Sequence, residues 1–258
     1  MNGMLVFDVI RFELTRSLTV SRMMVWGALV AFPVTLVGIL ANRLALVEDA
    51  PKDQILGTVM FILIPEIVCL LGLLLWATPA IATEIEGQTW IYLAMRRSGR
   101  GVVAIGKYLT AVLWTLSAAL AATTICVALS WPEDLVFMWL VLSGLVTLSC
   151  FAHAALYLFI GLMFRKRTMV TAVGFTLIVE FGLTFVPALA NKLTVNYRLR
   201  GLFQNWLEWD TLKTPAEAVY GSEPVSTHLM ALAIYTTLLL GLSLWKLRVS
   251  EFPNQQDG

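Results

Sequence analysis

The chain has 258 residues, of which 59% are apolar and 14% charged, against about 45–50% and about 25% in soluble globular proteins. With a mean hydropathy of +0.80, these values exclude a disordered chain, a soluble enzyme of ordinary composition and a disulfide-stapled secreted domain. They place the sequence in a membrane. Lysine and arginine number 18 against 17 acidic residues, a net charge of +1, so no nucleic-acid surface is implied.

Residues 1–22 precede the first long apolar run. Phe7, Ile10, Leu14 and Leu18 recur at helical spacing, with Asp8, Arg11 and Thr15 on another face and Phe12 interrupting the polar side. This pattern predicts an interfacial helix leading into the membrane. Asp8 and Glu13 stand beside the N-terminal arginines, so a cleavable leader is not expected.

A spanning helix needs about 20 mostly apolar residues. Six stretches qualify, at 23–41, 58–82, 108–131, 135–164, 168–190 and 229–245. The fourth is long enough to require tilt or projection beyond the hydrocarbon. Pro33, Pro65 and Pro79 fall within the first two, where prolines are tolerated and predict kinks. The expected fold is therefore an all-α polytopic membrane protein forming one domain over 1–258, with no repeat between its halves.

An even number of spans puts both termini on one side. Of the 18 basic residues, Arg43, Lys52, Lys192, Arg198, Arg200 and Lys213 fall on the other side, and the remaining twelve on the side of the termini. The positive-inside rule thus predicts cytoplasmic termini. Residues 83–107 become an inner loop and 191–228 an external segment. In the latter, Leu199, Leu202, Phe203 and Trp206 follow helical spacing. Thr214-Pro215-Ala216-Glu217 is a capping box, and Gly221 a stop. Two short external helices are expected, with Trp206 and Trp209 dipping into the outer interface.

Cys69, Cys126 and Cys150 lie in apolar runs without metal-site or disulfide-framework spacing. They read as small packing residues. With only His153 and His228 available, no metal constellation is expected, and no catalytic residue is assigned. Gly101–Tyr108 approaches the phosphate-loop pattern, but Tyr108 replaces the magnesium-binding hydroxyl and no strand precedes it. Leu142-Ser143-Gly144 is only a fragment of an ATPase signature inside a span. No cofactor is expected on this chain.

Glu66, His153 and Glu180 are the ionisable residues deep in spans. Each would cost about 2.5–3.5 kcal/mol at the bilayer centre, so they should face the bundle interior or water. Measured from the turn at Arg165-Lys166-Arg167, His153 and Glu180 both lie about 20 Å along antiparallel helices, within reach of each other. Glu66 lies about 27 Å from Glu84, nearer the outer side. These groups either line a hydrated path or gate, or pin the helices together; for Glu66 the pinning partner is a backbone group near Pro65.

In the inner loop, Thr83 and Glu86 have the spacing of a capping box, which predicts a helix from Glu84. Such a helix presents Ile85, Thr89 and Leu93 to a partner; a solvated loop touching anionic lipid is the other reading. Trp76-Ala77-Thr78-Pro79-Ala80-Ile81 leads into Glu84-Ile85-Glu86-Gly87-Gln88-Thr89-Trp90, then Leu93, Arg97, Arg100 and Gly106-Lys107. This resembles the permease subunits of type-2 ATP-binding-cassette (ABC) exporters, with their acidic E-x-E-x-x-T segment after span two. The resemblance extends to the layout of the whole chain. One departure is Met95-Arg96-Arg97-Ser98, which lacks the proline common there.

The resemblance implies an inner-membrane permease half with an interfacial helix, six spans, a cytoplasmic coupling helix and external helices. Two copies, identical or different, would form the path, and separate cytoplasmic ATPase subunits binding ATP and magnesium would drive it. Coupling would fall to Glu84, Ile85, Glu86, Thr89, Trp90, Leu93, Arg97 and Arg100. Two further readings stay open: a self-contained ion or proton-coupled carrier using Glu66, His153 and Glu180, and a non-transporting membrane subunit that transmits ATPase motion.

Overall fold

The computed structural model describes residues 3–47, 51–86, 99–164, 167–185, 189–209 and 223–249. Among them every regular element is helical. Helix α1 (Gly3–Ser17) leads through a short break to α2 (Val20–Leu44), whose start is capped by the Thr19 hydroxyl accepting from the Arg22 amide. The second span runs from Lys52 to Glu84. It comprises α3 (Lys52–Phe61), a π-helical stretch (Ile62–Val68), α4 (Cys69–Trp76) and, after a break at Ala77 and Thr78, α5 (Pro79–Glu86). Then come α6 (Gly99–Ser130) and α7 (Leu135–Met163). Helix α8 (Thr168–Phe175) continues as a second π stretch (Thr176–Phe181) and a 3-10 turn (Gly182–Phe185). A 3-10 turn (Leu189–Leu193), α9 (Val195–Leu207) and α10 (Val225–Val249) complete the described chain.

Five of these helical segments are long and apolar enough to cross a membrane. The expected fifth span differs: its apolar helix covers only Thr168–Phe181 before the backbone tightens. Proline explains one of the two irregular spans. Pro65 has no amide hydrogen and sits inside the first π stretch. Pro79 opens α5, as suits a first helical position, while Pro33 lies within continuous α2. The second π stretch contains no proline, so nothing in its sequence marked it.

Helices α6 and α7 form the centre: α6 packs against α1, α2 and α7, and α7 packs against α4, α9 and α10. Their contact faces are rich in small residues, such as Ala118, Ala119 and Ala122 on α6 and Ala154 and Ala155 on α7, all fully buried. Small side chains let helix backbones approach closely in lipid, where apolar surface alone gives no drive to associate. Cys69 and Cys150 meet in this core as free thiols with Sγ atoms 3.6 Å apart. At Gly161 the backbones come close enough that a Cβ would stand 2.3 Å from the Thr78 carbonyl oxygen at the head of α5. Since the obstacle is backbone, G161A must push α5 away from α7. We expect a loss of about 1–3 kcal/mol, read as lowered thermal stability in detergent, whereas alanine at Gly174, which has open space around it, should leave stability unchanged.

Helix α1 leaves part of its apolar stripe exposed. Phe7, Phe12 and Leu18 are exposed, and Val9, Glu13 and Ser17 face α6. Val9 lies against Gly106, and the Trp114 indole donates to the Ser17 hydroxyl at 2.7 Å. Gly101–Tyr108, the phosphate-loop look-alike, is the helical start of α6.

Candidate functional site

Two polar clusters stand out, one around α9 and one where α1, α5 and α6 meet. Helix α9 begins at Thr194, whose hydroxyl accepts from the Tyr197 amide at 3.2 Å. Its Leu199, Leu202 and Phe203 are fully buried, and it packs on α7 and α10. The two tryptophans expected at the outer interface pack on other helices. Trp206 lies over Gly144 and Trp209 against Gly57, its ring edge-on to Phe203. The reason is steric, since glycines on α3 and α7 leave slots that the indoles fill. The capping box at Thr214 and the stop at Gly221 lie outside the described residues.

Helix α9 meets both carboxylates that the sequence reading placed deep in spans. Glu66, in the first π stretch and fully buried, receives two parallel hydrogen bonds from Arg200, at 2.5 Å from Nε and 2.8 Å from Nη2. This fork geometry fixes orientation as well as charge. Its partner is therefore not a backbone group near Pro65, and Arg200, counted as an outer-loop cation from sequence, is an anchor instead. Glu180, in the second π stretch, accepts from the backbone amides of Val195 and Asn196 at 3.4 and 3.2 Å. A carboxylate there satisfies first-turn amides and faces the positive end of the helix dipole.

His153 and Glu180 do meet, but loosely, with Nε2 and Oε2 3.9 Å apart. The other face of His153 is fully engaged. Ser149 donates its hydroxyl hydrogen to the Pro65 carbonyl at 2.7 Å, so its oxygen can only accept from the imidazole Nδ1, 3.1 Å away. The Ser149 carbonyl, also 3.1 Å from Nδ1, can likewise only accept. Nδ1 therefore carries a hydrogen. The ring thus turns its Nε2 edge toward the Glu180 carboxylate. Nearby, Tyr157 and Thr176 share a hydrogen bond of 2.6 Å. Sequence reading found Glu66, His153 and Glu180 and missed Ser149, Tyr157 and Arg200. Only the amphipathic spacing around Leu199 pointed toward α9.

Near the start of α9, Glu223 is bound by Lys192 at 2.8 Å and by Arg198. Burial opposes the charged form, but the hydrogen bonds from the two cations outweigh it and hold the carboxyl below its ordinary range. A carboxyl that titrates lower in the folded than in the unfolded chain stabilises fully above the ordinary carboxylate range. That contribution fades as pH falls through the lowered folded value. Hydrogen exchange of α9 should therefore rise on acidification through that window. In E223Q it should be faster at neutral pH, with this component of the pH dependence lost.

The second cluster joins the two ends of the segment 83–107 that the sequence reading made the inner loop. Lys107 Nζ lies 2.9 Å from Glu84 and 3.2 Å from Glu13, and Arg16 reaches Glu84 at 3.6 Å. The side chains of Lys107 and Glu84 are 7% and 8% exposed. The expected helix start at Glu84 is overturned: α5 begins at Pro79, and the Thr83 hydroxyl bonds back to the Pro79 carbonyl at 3.0 Å instead of capping. Starting the helix five residues earlier turns Glu84 inward to Lys107, not out toward a partner. Ile85 and Glu86 end α5. Arg100, on α6, donates to the Leu247 carbonyl at 3.3 Å and so ties the loop's far end to α10. Thr89, Trp90, Leu93 and Arg97 lie outside the described residues.

No protein-family model matches the chain, and no curated protein matches it.

Proposed function

We propose that the chain is the permease half of an ATP-driven ABC exporter of the type-2 architecture. Two copies, or one copy with a related chain, form the path in the inner membrane with both termini cytoplasmic. Separate ATPase subunits carry the ATP and magnesium. The irregular segment 168–185 makes the fifth of six crossings in this reading. The observation that carries it is the Glu13–Lys107–Glu84 cluster. It ties the helix entering the inner loop, the helix leaving it and the interfacial helix into one charged joint. A push on the loop by closing ATPases would then move α1, α5 and α6 together. Arg100 extends that joint to the last helix.

A self-contained proton-coupled carrier is the second reading, favoured by the approach of His153 to Glu180 inside the bundle. Against it, Glu66 is neutralised by Arg200 and Glu180 faces a helix N-terminus, which suits anchoring better than release.

Because Glu84 is an internal partner, its reversal would break the fold rather than test docking. The test uses Glu86→Lys with Leu93→Asp in a tagged chain purified from its native membranes. A co-purifying polypeptide photolabelled by azido-ATP, with ATP hydrolysis, should be present with the wild type and reduced at least about tenfold in the double variant. That corresponds to losing one buried anchor of about 1.4 kcal/mol or more. Lys52→Gln serves as the control. Labelling unchanged by the double variant returns the loop to a topology signal, and absence of any labelled partner favours the carrier.

A further inference from the structure

A cavity of about 310 Å³ opens where α1, the start of α2, α5 and α6 come together. One wall is charged, with Glu13, Arg16, Arg22, Glu84 and Lys107; the other is apolar, with Leu75, Trp76, Ala111 and Trp114. Three cations against two carboxylates leave one positive charge. Lys107 is engaged by both glutamates, and Arg16 reaches only Glu84, at 3.6 Å, with its side chain 61% exposed. Arg22 is exposed and makes no ion pair among the described residues. The unneutralised charge therefore sits on two exposed arginines and fits a monoanion.

The surroundings say what kind of monoanion. The lining residues Ser17, Thr19 and Arg22 are interleaved along the chain with exposed Leu18, Val20 and Met23. Trp76 and Trp114 pack together with ring centroids 5.8 Å apart, and Trp114 turns its indole hydrogen to Ser17. Tryptophan with one end apolar and the other polar marks the level of lipid headgroups. Apolar surface thus runs from the cavity onto the lipid-facing side of α2, as a ligand with acyl chains requires.

We propose that this cavity is a binding site for the headgroup of an anionic phospholipid. Arg16 and Arg22 hold the phosphodiester, and the acyl chains leave past Val20 and Met23. The site lies on the charged joint between α1, α5 and α6, so an occupying lipid bridges the interfacial helix to the helices around the inner loop. The inference needs only that the chain is embedded in a bilayer and does not depend on an ATPase partner.

The test titrates the delipidated full chain in detergent with palmitoyl-oleoyl phosphatidylglycerol and counts retained lipid by native mass spectrometry. The phosphatidylcholine of the same chains is the reference. One phosphatidylglycerol should be retained in preference to phosphatidylcholine. R16Q and R22Q should each weaken it about fivefold, and the double variant about thirtyfold. A80F fills the cavity without altering charge and should remove the retained lipid; it decides the matter if the arginine variants do not fold. R43Q, at the other end of α2, should change nothing. Equal retention of the two lipids, or wild-type retention in both A80F and the double variant, overturns the proposal. Displacement by millimolar inorganic phosphate overturns it in favour of a free anion. Unchanged lipid retention in R16Q/R22Q with loss of an azido-ATP-labelled partner overturns it in favour of protein docking.

Discussion

E66Q should destabilise the protein by about 3–5 kcal/mol, because it leaves the Arg200 guanidinium among buried groups without its carboxylate. R200M should do the same from the other side, stranding a carboxylate that is fully buried in the first π stretch. Replacing both, as E66M/R200M, removes the two charges together and should cost less than either single change. Thermal unfolding of the purified chain in detergent gives the four corners of the cycle. A double variant whose loss equals the sum of the singles would show that the pair does not hold α9 in the bundle. The measurement has a second use for function: a pair that only anchors α9 should tolerate joint replacement without loss of transport, whereas an ion path through Glu66 should not.

Loss of the lysine in the joint should be the other large effect. In K107M the Glu13 and Glu84 carboxylates lose the lysine that they share. We expect a loss of about 3 kcal/mol concentrated on α1, which docks through Glu13, Ser17 and the contact of Val9 with Gly106. Hydrogen exchange should accelerate across Gly3–Ser17 while α7 stays protected. Neutralising the glutamates as well, in E13Q/E84Q/K107M, should restore much of the protection, because the charge left over is then on the exposed Arg16 and not on a buried carboxylate. Wild-type exchange of α1 in K107M would mean that apolar contact alone holds the helix. A lesion here should also uncouple any ATPase from the membrane, which connects this stability change to the proposed exporter.

The apolar stripe of α1 was assigned by spacing, and its Phe7 is exposed while Glu13 turns toward α6. Next to lipid an apolar side chain has no need to turn inward, while a carboxylate does if a lysine waits there. Spacing did not foresee that lysine, nor the glycine slots that Trp206 and Trp209 fill. Matched depth correctly brought His153 near Glu180. It did not foresee that the amides at the start of α9 compete for the carboxylate.

Hydropathy is summed along the chain, so the sequence by itself determined the helical class and most apolar segments. The 135–164 stretch became Leu135–Met163 almost residue for residue, and the spacing from Leu199 to Trp206 became one face of α9. Pro65 marked its irregular backbone by its missing amide hydrogen. What tertiary structure decided is which charges meet. Glu66 and Arg200 are 134 residues apart, and Glu84 and Lys107 face each other across the inner loop. Such pairs depend on which helices become neighbours and on their rotation about their axes. The second π stretch, where Glu180 turns to the amides of α9, is of the same kind: no residue type forces it, and its reward is a contact that exists only once the helices have assembled.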